Sequence, residues 1–369
     1  MSTSSNTLFP PLSHSDILAF QFSAWYPTFS GLSIKSTVIR PLGADFRDYL
    51  DADSVFVPKG SEDVPARSTL EDEADEDEGN EDEDDRQEFA FPELDARIRE
   101  AVREYGAVFP KLNFSSPKDA SWLLPSSSPL KCTAPADVYI LLKSSDFITH
   151  DLSMDIVFEG CEETSLDAVT TGRAQETPYE LELVLRKWYA IDRSREIRCF
   201  VRNGALIGLS QRDTNFYDFL AETGTQTTIV TSVRTYWETH VKSKWTGPDS
   251  YVFDVLLTRD LTRFHILDFN PYAPRTDPLL FTYEELCDIS THIRDSDEII
   301  PHLRVIDSPA HPVATRNTPA HQHNMVPFEA LSLSEGRDVD SFRKIWEDEI
   351  KKGMDESDDE DYDKGSLVD

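Results

Sequence analysis

Apolar residues along the chain recur with two periods, and the two periods alternate. Tyr179 to Trp188 has the period of a strand: Leu181, Leu183 and Leu185 fall on one face, and Glu180, Glu182, Val184 and Arg186 on the other, which predicts a half-buried strand. Ile34 to Arg40 alternates in the same way and is ended by Pro41. A short strand is expected over Ala107–Asn113. Two alternating runs within Glu196–Ser210 flank Asn203-Gly204, the dipeptide that suits a tight primed turn, and predict a hairpin. Tyr251–Leu257 and Arg263–Asn270 predict a second hairpin. The helical period appears after Pro92, with Leu94, Ile98, Ala101, Val102 and Tyr105 before a stop at Gly106. It returns at Ile229, Val233, Tyr236, Trp237 and Val241, and again after Thr282-Tyr283-Glu284-Glu285, which has the form of a capping box. Ser116-Pro117-Lys118-Asp119 has that form too and predicts a helical turn carrying Trp122. Ala136–Lys143 suits a helix or a buried strand equally. Mixed periods of this kind indicate an α+β fold.

Periodicity is lost over 61–88, over 159–178 and after Asp295, apart from a short helix expected over Ser341–Lys352 with Phe342, Ile345 and Trp346 on one side. Charge accounts for part of this. Of the formal −33, residues 71–88 carry −12 and residues 347–369 carry −8, which leaves −13 for the rest. An acidic disordered loop and an acidic tail attached to a folded body are expected. The aromatic segment Phe20–Phe29 serves either the core or a partner surface. The division expected is a flexible N-terminus at 1–19, an N-terminal lobe at 20–184 carrying the 61–88 insertion, a C-terminal lobe at 185–295, and an irregular partner-binding region with the tail at 296–369. So acidic a chain is not expected to bind nucleic acid, and no apolar run reaches the roughly 18 residues of a membrane span. Cys132, Cys161, Cys199 and Cys287 form no C-x-x-C pair, so reduced thiols and a cytoplasmic compartment are expected.

Candidate chemistry centres on the second hairpin. Asp254 lies between Phe253 and Val255, which point to the opposite face, and Asp268 and Asn270 share one face of the partner strand. Three hard oxygen donors on adjacent strands suit Mg²⁺, which keeps several waters and bridges to phosphates. Pairing of the two aspartates with arginines is the equal alternative. Arg186, Arg198, Arg202 and Arg212 are the candidate counter-charges, and Lys111, before the expected capped turn, is a further phosphate candidate. P-loop, dinucleotide-fingerprint and nucleophile-elbow motifs are absent from the sequence. His321-Gln322-His323 reads as a loose loop rather than a metal array.

The order of these parts resembles the ATP-grasp superfamily. More narrowly, the chain resembles the cell division cycle protein 123 family in Gln21–Pro27, Phe109–Asn113, Lys143–Thr149, Leu185–Trp188, Glu196–Val201, Ser210–Asp213 and Ile266–Pro271. The resemblance implies two α+β lobes with a nucleotide between antiparallel sheets, and ATP and Mg²⁺ as cofactors. It implies Lys111 on the α- and β-phosphates, and Asn113, Ser116 and Asp119 bordering the pocket. Arg186, Lys187 and Trp188 would form a hinge that contacts adenine through backbone groups. Arg198 and Asp213 would lie by the phosphates and ribose, with Asp254, Asp268 and Asn270 on the metal. The implied role is a monomeric chaperone for assembly of eukaryotic translation initiation factor 2, acting on the C-terminal domains of its γ subunit, rather than an enzyme. An ATP-grasp ligase forming an acyl-phosphate is the alternative, and an acidic chaperone for basic proteins is a third reading of the charge runs.

Overall fold

The computed structural model describes residues 7–52, 56–62, 89–125, 128–162, 179–293 and 300–316. Described residues as far as Ala314 belong to one compact unit. Of the expected disordered loop 61–88, residues 63–88 lie outside the described residues, as do the Ser341–Lys352 helix and His321-Gln322-His323; Ser61, at the start of that loop, is instead buried, and its carbonyl accepts from Ala136 N at 3.2 Å.

Among the described residues, eight strands form two sheets. Strands β1 (Ser36–Ile39), β2 (Val108–Lys111) and β3 (Leu183–Lys187) make the smaller, antiparallel in the order β1-β3-β2. Strands β4 (Glu196–Arg202), β5 (Ala205–Gln211), β6 (Tyr251–Leu257), β7 (Phe264–Pro271) and β8 (His302–Arg304) make the larger, in the order β7-β6-β4-β5-β8. The α+β expectation holds. So do both hairpins: Asn203 and Gly204 have φ of 49° and 70°, the left-handed pair that a primed turn requires. The helix Pro92–Tyr105 ends where expected, at Gly106 with φ of 82°. Pro135–Lys143 is a helix, which settles the open alternative.

Each sheet buries one face under helices. Leu183 and Leu185 of β3 pack with Ile98, Ala101, Val138 and Leu142 from the helices Pro92–Tyr105 and Pro135–Lys143. In the larger sheet, Ile197, Cys199, Phe253, Val255 and Phe269 pack against the helices Phe22–Phe29 and Thr223–Tyr236. Most of the aromatic segment is therefore core, with Phe22, Trp25 and Phe29 buried. The helix Tyr283–Ile293 covers part of the opposite face, where Leu286 meets Phe200, Ile207 and Val252. Its capping box forms: Thr282 N donates to Glu285 at 2.8 Å and Glu285 N donates to Thr282 Oγ1 at 3.2 Å.

Three expectations need correction. Strand β3 is buried on both faces; Glu182, just before it, is 0 % exposed, and Val184 and Arg186 are buried as well. Its polar face meets the rest of the protein rather than water. The box at Ser116–Asp119 does not cap a helix. Asp119 instead accepts from Ser145 Oγ and from the amides of Asp146 and Phe147, and only a 3₁₀ turn, Ser121–Leu123, follows. Order also extends past Asp295: β8 runs parallel to β5, Arg304 makes two bonds to Glu285 at 2.7 and 2.9 Å, and Ile306 N donates to Gln211 at 3.0 Å.

Candidate functional site

Alternation along three strands builds a charged row on one face of the larger sheet. Arg198 of β4 stands opposite Asp254 of β6, and Asp254 opposite Asp268 of β7. Their apolar neighbours fill the helix-covered face, so these side chains project the other way. A register shift follows Asp254, whose next residue Val255 pairs with Ile266 and leaves Leu267 as the extra residue of a bulge. The Leu267 carbonyl accepts from Arg186 Nη1 of the smaller sheet at 2.8 Å. The bulge thus supplies an anchor point between the two sheets.

Asp254 is 2 % exposed and held by two guanidinium groups. Arg198 grips it bidentately, Nε at 2.8 Å and Nη2 at 2.9 Å, and Arg212 Nε lies at 3.2 Å. Burial alone would raise its pKa, but Arg198 and Arg212 outweigh burial and hold the carboxyl well below the usual range. Burial works against the Arg212 charge too, and Asp254 and Glu196 outweigh it and raise its pKa; the Arg212–Glu196 bond is 2.6 Å. Asp268 is 22 % exposed and pairs with Lys111 Nζ of β2 at 2.9 Å. Lys111 is itself buried and also donates to the Phe114 carbonyl. Arg186 is buried with its Nε unpartnered; burial lowers its pKa, partly offset by Asp268. Lys118 joins the same cluster from a solvent-exposed position. The Arg212 charge, above all, pulls its pKa down to about 8, against the opposing pull of Glu196, Asp254 and Asp268.

The structure brings together Lys111, Arg186, Arg198, Asp254 and Asp268, and it pairs both aspartates with cations, the alternative weighed for them in the sequence. Asn270 follows two residues after Asp268 on the same strand, and its side chain makes no hydrogen bond among the described residues. Two carboxylates and a free amide oxygen are hard donors that fit Mg²⁺ held together with a phosphate. They do not make an all-protein cage, and among the described residues no group of three or more His, Cys, Asp or Glu side chains is placed to hold a metal ion.

Other expected residues have local bonds. Asn113 is buried and spends its amide on the Glu180 carbonyl at 2.8 Å and the Glu182 amide at 2.9 Å. The Ser116 carbonyl accepts from Lys118 N. Asp213 accepts from Asn215 and Tyr217 and so shapes its own loop. Trp188 donates to the Pro129 carbonyl at 3.0 Å beneath Lys131, and Lys187 lies over the Tyr189 ring. Arg202 is spent on the carbonyls of Thr7 and Leu8, apart from the cluster. Sequence reasoning missed Lys118 and Glu196. The strand period does put Glu196 on the face of Arg198, whereas Lys118 was hidden inside the apparent capping box.

No disulfide joins the four cysteines, and no described helix is long and apolar enough to cross a membrane.

The chain has clear relatives. A family model described as D123 matches residues 25–334. A translation initiation factor eIF2 assembly protein of Xenopus laevis is 35% identical over 334 residues, covering 88% of this chain and 93% of that protein. The protein so named in Schizosaccharomyces pombe is 35% identical over 345 residues, covering 92% and 98%. The solved structure of Cdc123 from Schizosaccharomyces pombe superposes with a TM-score of 0.62 at 32% identity, covering 81% of this chain and 100% of that one. Sequence and fold agree across most of the chain, which belongs to the D123 (cell division cycle protein 123) family.

Proposed function

We propose that this chain is an ATP- and magnesium-binding chaperone for assembly of eukaryotic translation initiation factor 2, acting on its γ subunit. The role is supported by the names of the relatives, which are eIF2 assembly proteins. The nucleotide site is supported by one observation above all: Lys111 of the smaller sheet and Asp268 of the larger one meet across 2.9 Å, beside the Arg198–Asp254 pair. Cations suited to phosphate and carboxylates suited to a metal thus share one place between the two sheets, the arrangement that an ATP-grasp-like use of the fold requires.

In this reading Lys111 binds the α- and β-phosphates, and Arg198 and Arg212 turn from Asp254 toward phosphate oxygens. Asp254, Asp268 and Asn270 hold the magnesium ion, which when bound neutralises phosphate charge. Asn113, Ser116 and Asp119 border the pocket, and Asp213 lies toward the ribose. Arg186, Lys187 and Trp188 act as the hinge, with backbone groups toward adenine. The γ subunit is engaged through its C-terminal domains, in the cytoplasm. The nucleotide fixes the relation of the two lobes, so the partner surface depends on it.

The test is calorimetry of Mg-ATP on the full chain and on Asp268→Ala, with capture of the γ subunit measured on both. Loss of Mg-ATP binding together with loss of capture is expected. Unchanged ATP affinity in the variant would overturn the metal assignment. Capture of the γ subunit by neither protein would overturn the partner.

A further inference from the structure

The turn that carries Lys111 into the site is held by a carboxylate from a separate segment. Asp151, in the short helix Thr149–Leu152, is 0 % exposed. Its Oδ2 accepts from the amides of Phe114 at 2.8 Å and Ser115 at 2.9 Å, and its Oδ1 from Ser115 Oγ at 2.9 Å. The His150 ring nitrogen lies 2.7 Å from Oδ1. The turn is also closed on itself, because Leu112 N donates to the Ser115 carbonyl at 2.9 Å. Its Phe114 carbonyl is the group that holds the Lys111 ammonium, together with Asp268.

The same two segments are tied in the reverse direction. Asp119, beyond the turn, accepts from Ser145 Oγ and the amides of Asp146 and Phe147, which lead into the helix that carries Asp151. Each segment therefore gives a carboxylate to the backbone donors of the other. Bonds from amides to a buried carboxylate are among the stronger hydrogen bonds, and removing the acceptor leaves the amides unpaired.

We propose that Asp151 is a positioning residue of the nucleotide site: through the Phe114 and Ser115 amides it fixes the carbonyl that aims Lys111. The proposal rests on the nucleotide reading above. Asp151 touches neither Lys111 nor Asp268 and acts only through the turn. A carboxylate that served folding alone would alter stability without changing what Lys111 contributes to the ligand.

The test is a cycle on the full chain, with Mg-ATP affinity measured by calorimetry for wild type, Asp151→Asn, Lys111→Met and the double variant. Asp151→Asn keeps the shape and one acceptor oxygen. Its affinity is expected to fall about 10-fold when Lys111 is present and less than about 2-fold when Lys111 is replaced. Equal losses in both backgrounds, or no loss in either, would overturn the proposal. Should Asp151→Asn not fold, Ser115→Ala removes one bond of the set and is expected to show a smaller loss with the same dependence on Lys111. A Ser115→Ala loss independent of Lys111 would then overturn it. A wild-type chain that does not bind Mg-ATP would overturn the nucleotide reading and this proposal together; a wild type that binds, with Asp151→Asn unchanged, would overturn this proposal alone.

Discussion

Asp254 shows how much depends on one side chain. Replacing it with Ala leaves the buried Arg198 and the partly buried Arg212 without their shared counter-charge. Breaking a buried pair in this way costs about 3–5 kcal/mol, and urea unfolding of Asp254→Ala is expected to show a loss of that order. Asp268 is partly exposed and has one cationic partner, so Asp268→Ala is expected to cost less stability while removing more ligand affinity. The pH dependence has a definite sign. The folded-state pKa of Asp254 lies below its ordinary 3.8, so its stabilisation is present above that value and lost as pH falls through the lower folded value. Asp254→Asn is expected to flatten this acid limb in unfolding curves.

Lys118 acts with the same sign in a more alkaline window. Its folded-state pKa of about 8 lies below the ordinary 10.5, so the unfolded chain binds more protons between the two values and stability rises with pH there. A phosphate beside Lys118 favours its protonated form. Mg-ATP binding near pH 8 is therefore expected to take up a proton, read as a dependence of the calorimetric heat on buffer ionisation enthalpy. Lys118→Met is expected to abolish that uptake. Little of this was legible in the sequence. The aspartate row could be read because strand alternation has a period of two; the cation near it could not, because Lys118 lies far from the row in sequence and only the tertiary fold brings their charges within influence of each other.

Among the elements, legibility followed the range of the contacts that make each one. The Asn203-Gly204 hairpin and the helix Pro92–Tyr105 are set by local signals, and both formed as read. Strand β8 carried no such signal. It has three residues in a Pro- and His-rich stretch and exists through pairing with β5, the Arg304–Glu285 bonds and the Gln211–Ile306 bond. The apparent box at Ser116–Asp119 failed for a related reason: Asp119 found donors 26 to 28 residues away and left its own turn uncapped. Boundaries for deletion follow from this. Truncation near residue 300 removes β8 and exposes the β5 edge, and is expected to lower the thermal midpoint. Truncation after Arg316 keeps these bonds and is expected to leave the midpoint near that of the full chain.

At the scale of the molecule, the two faces of β3 explain why a strand that alternates in sequence is buried throughout. Its leucine face completes the core under the helices, and its Arg186 face reaches the larger sheet at the Leu267 carbonyl. An amphipathic pattern ordinarily means one wet side. Here the second side faces another sheet, and the polar residues on it serve as connectors and as the floor of the candidate site.

The charged cluster also has a kinetic consequence. Lys111, Lys118, Arg186, Arg198 and Arg212 face Glu196, Asp254 and Asp268, a formal +2 within a chain of formal −33. An anionic nucleotide is thus repelled at long range and attracted only on arrival. Salt screens the distant repulsion first, since the screening length is about 10 Å at 0.1 M, while pairing at contact is screened far less. The association rate of ATP is therefore expected to rise as ionic strength goes from about 0.01 to about 0.15 M, the reverse of electrostatic steering. Stopped-flow binding of a fluorescent ATP analogue measures it. The low-salt chain would then be the slow receiver, and the acidic sequence a toll on arrival rather than on residence.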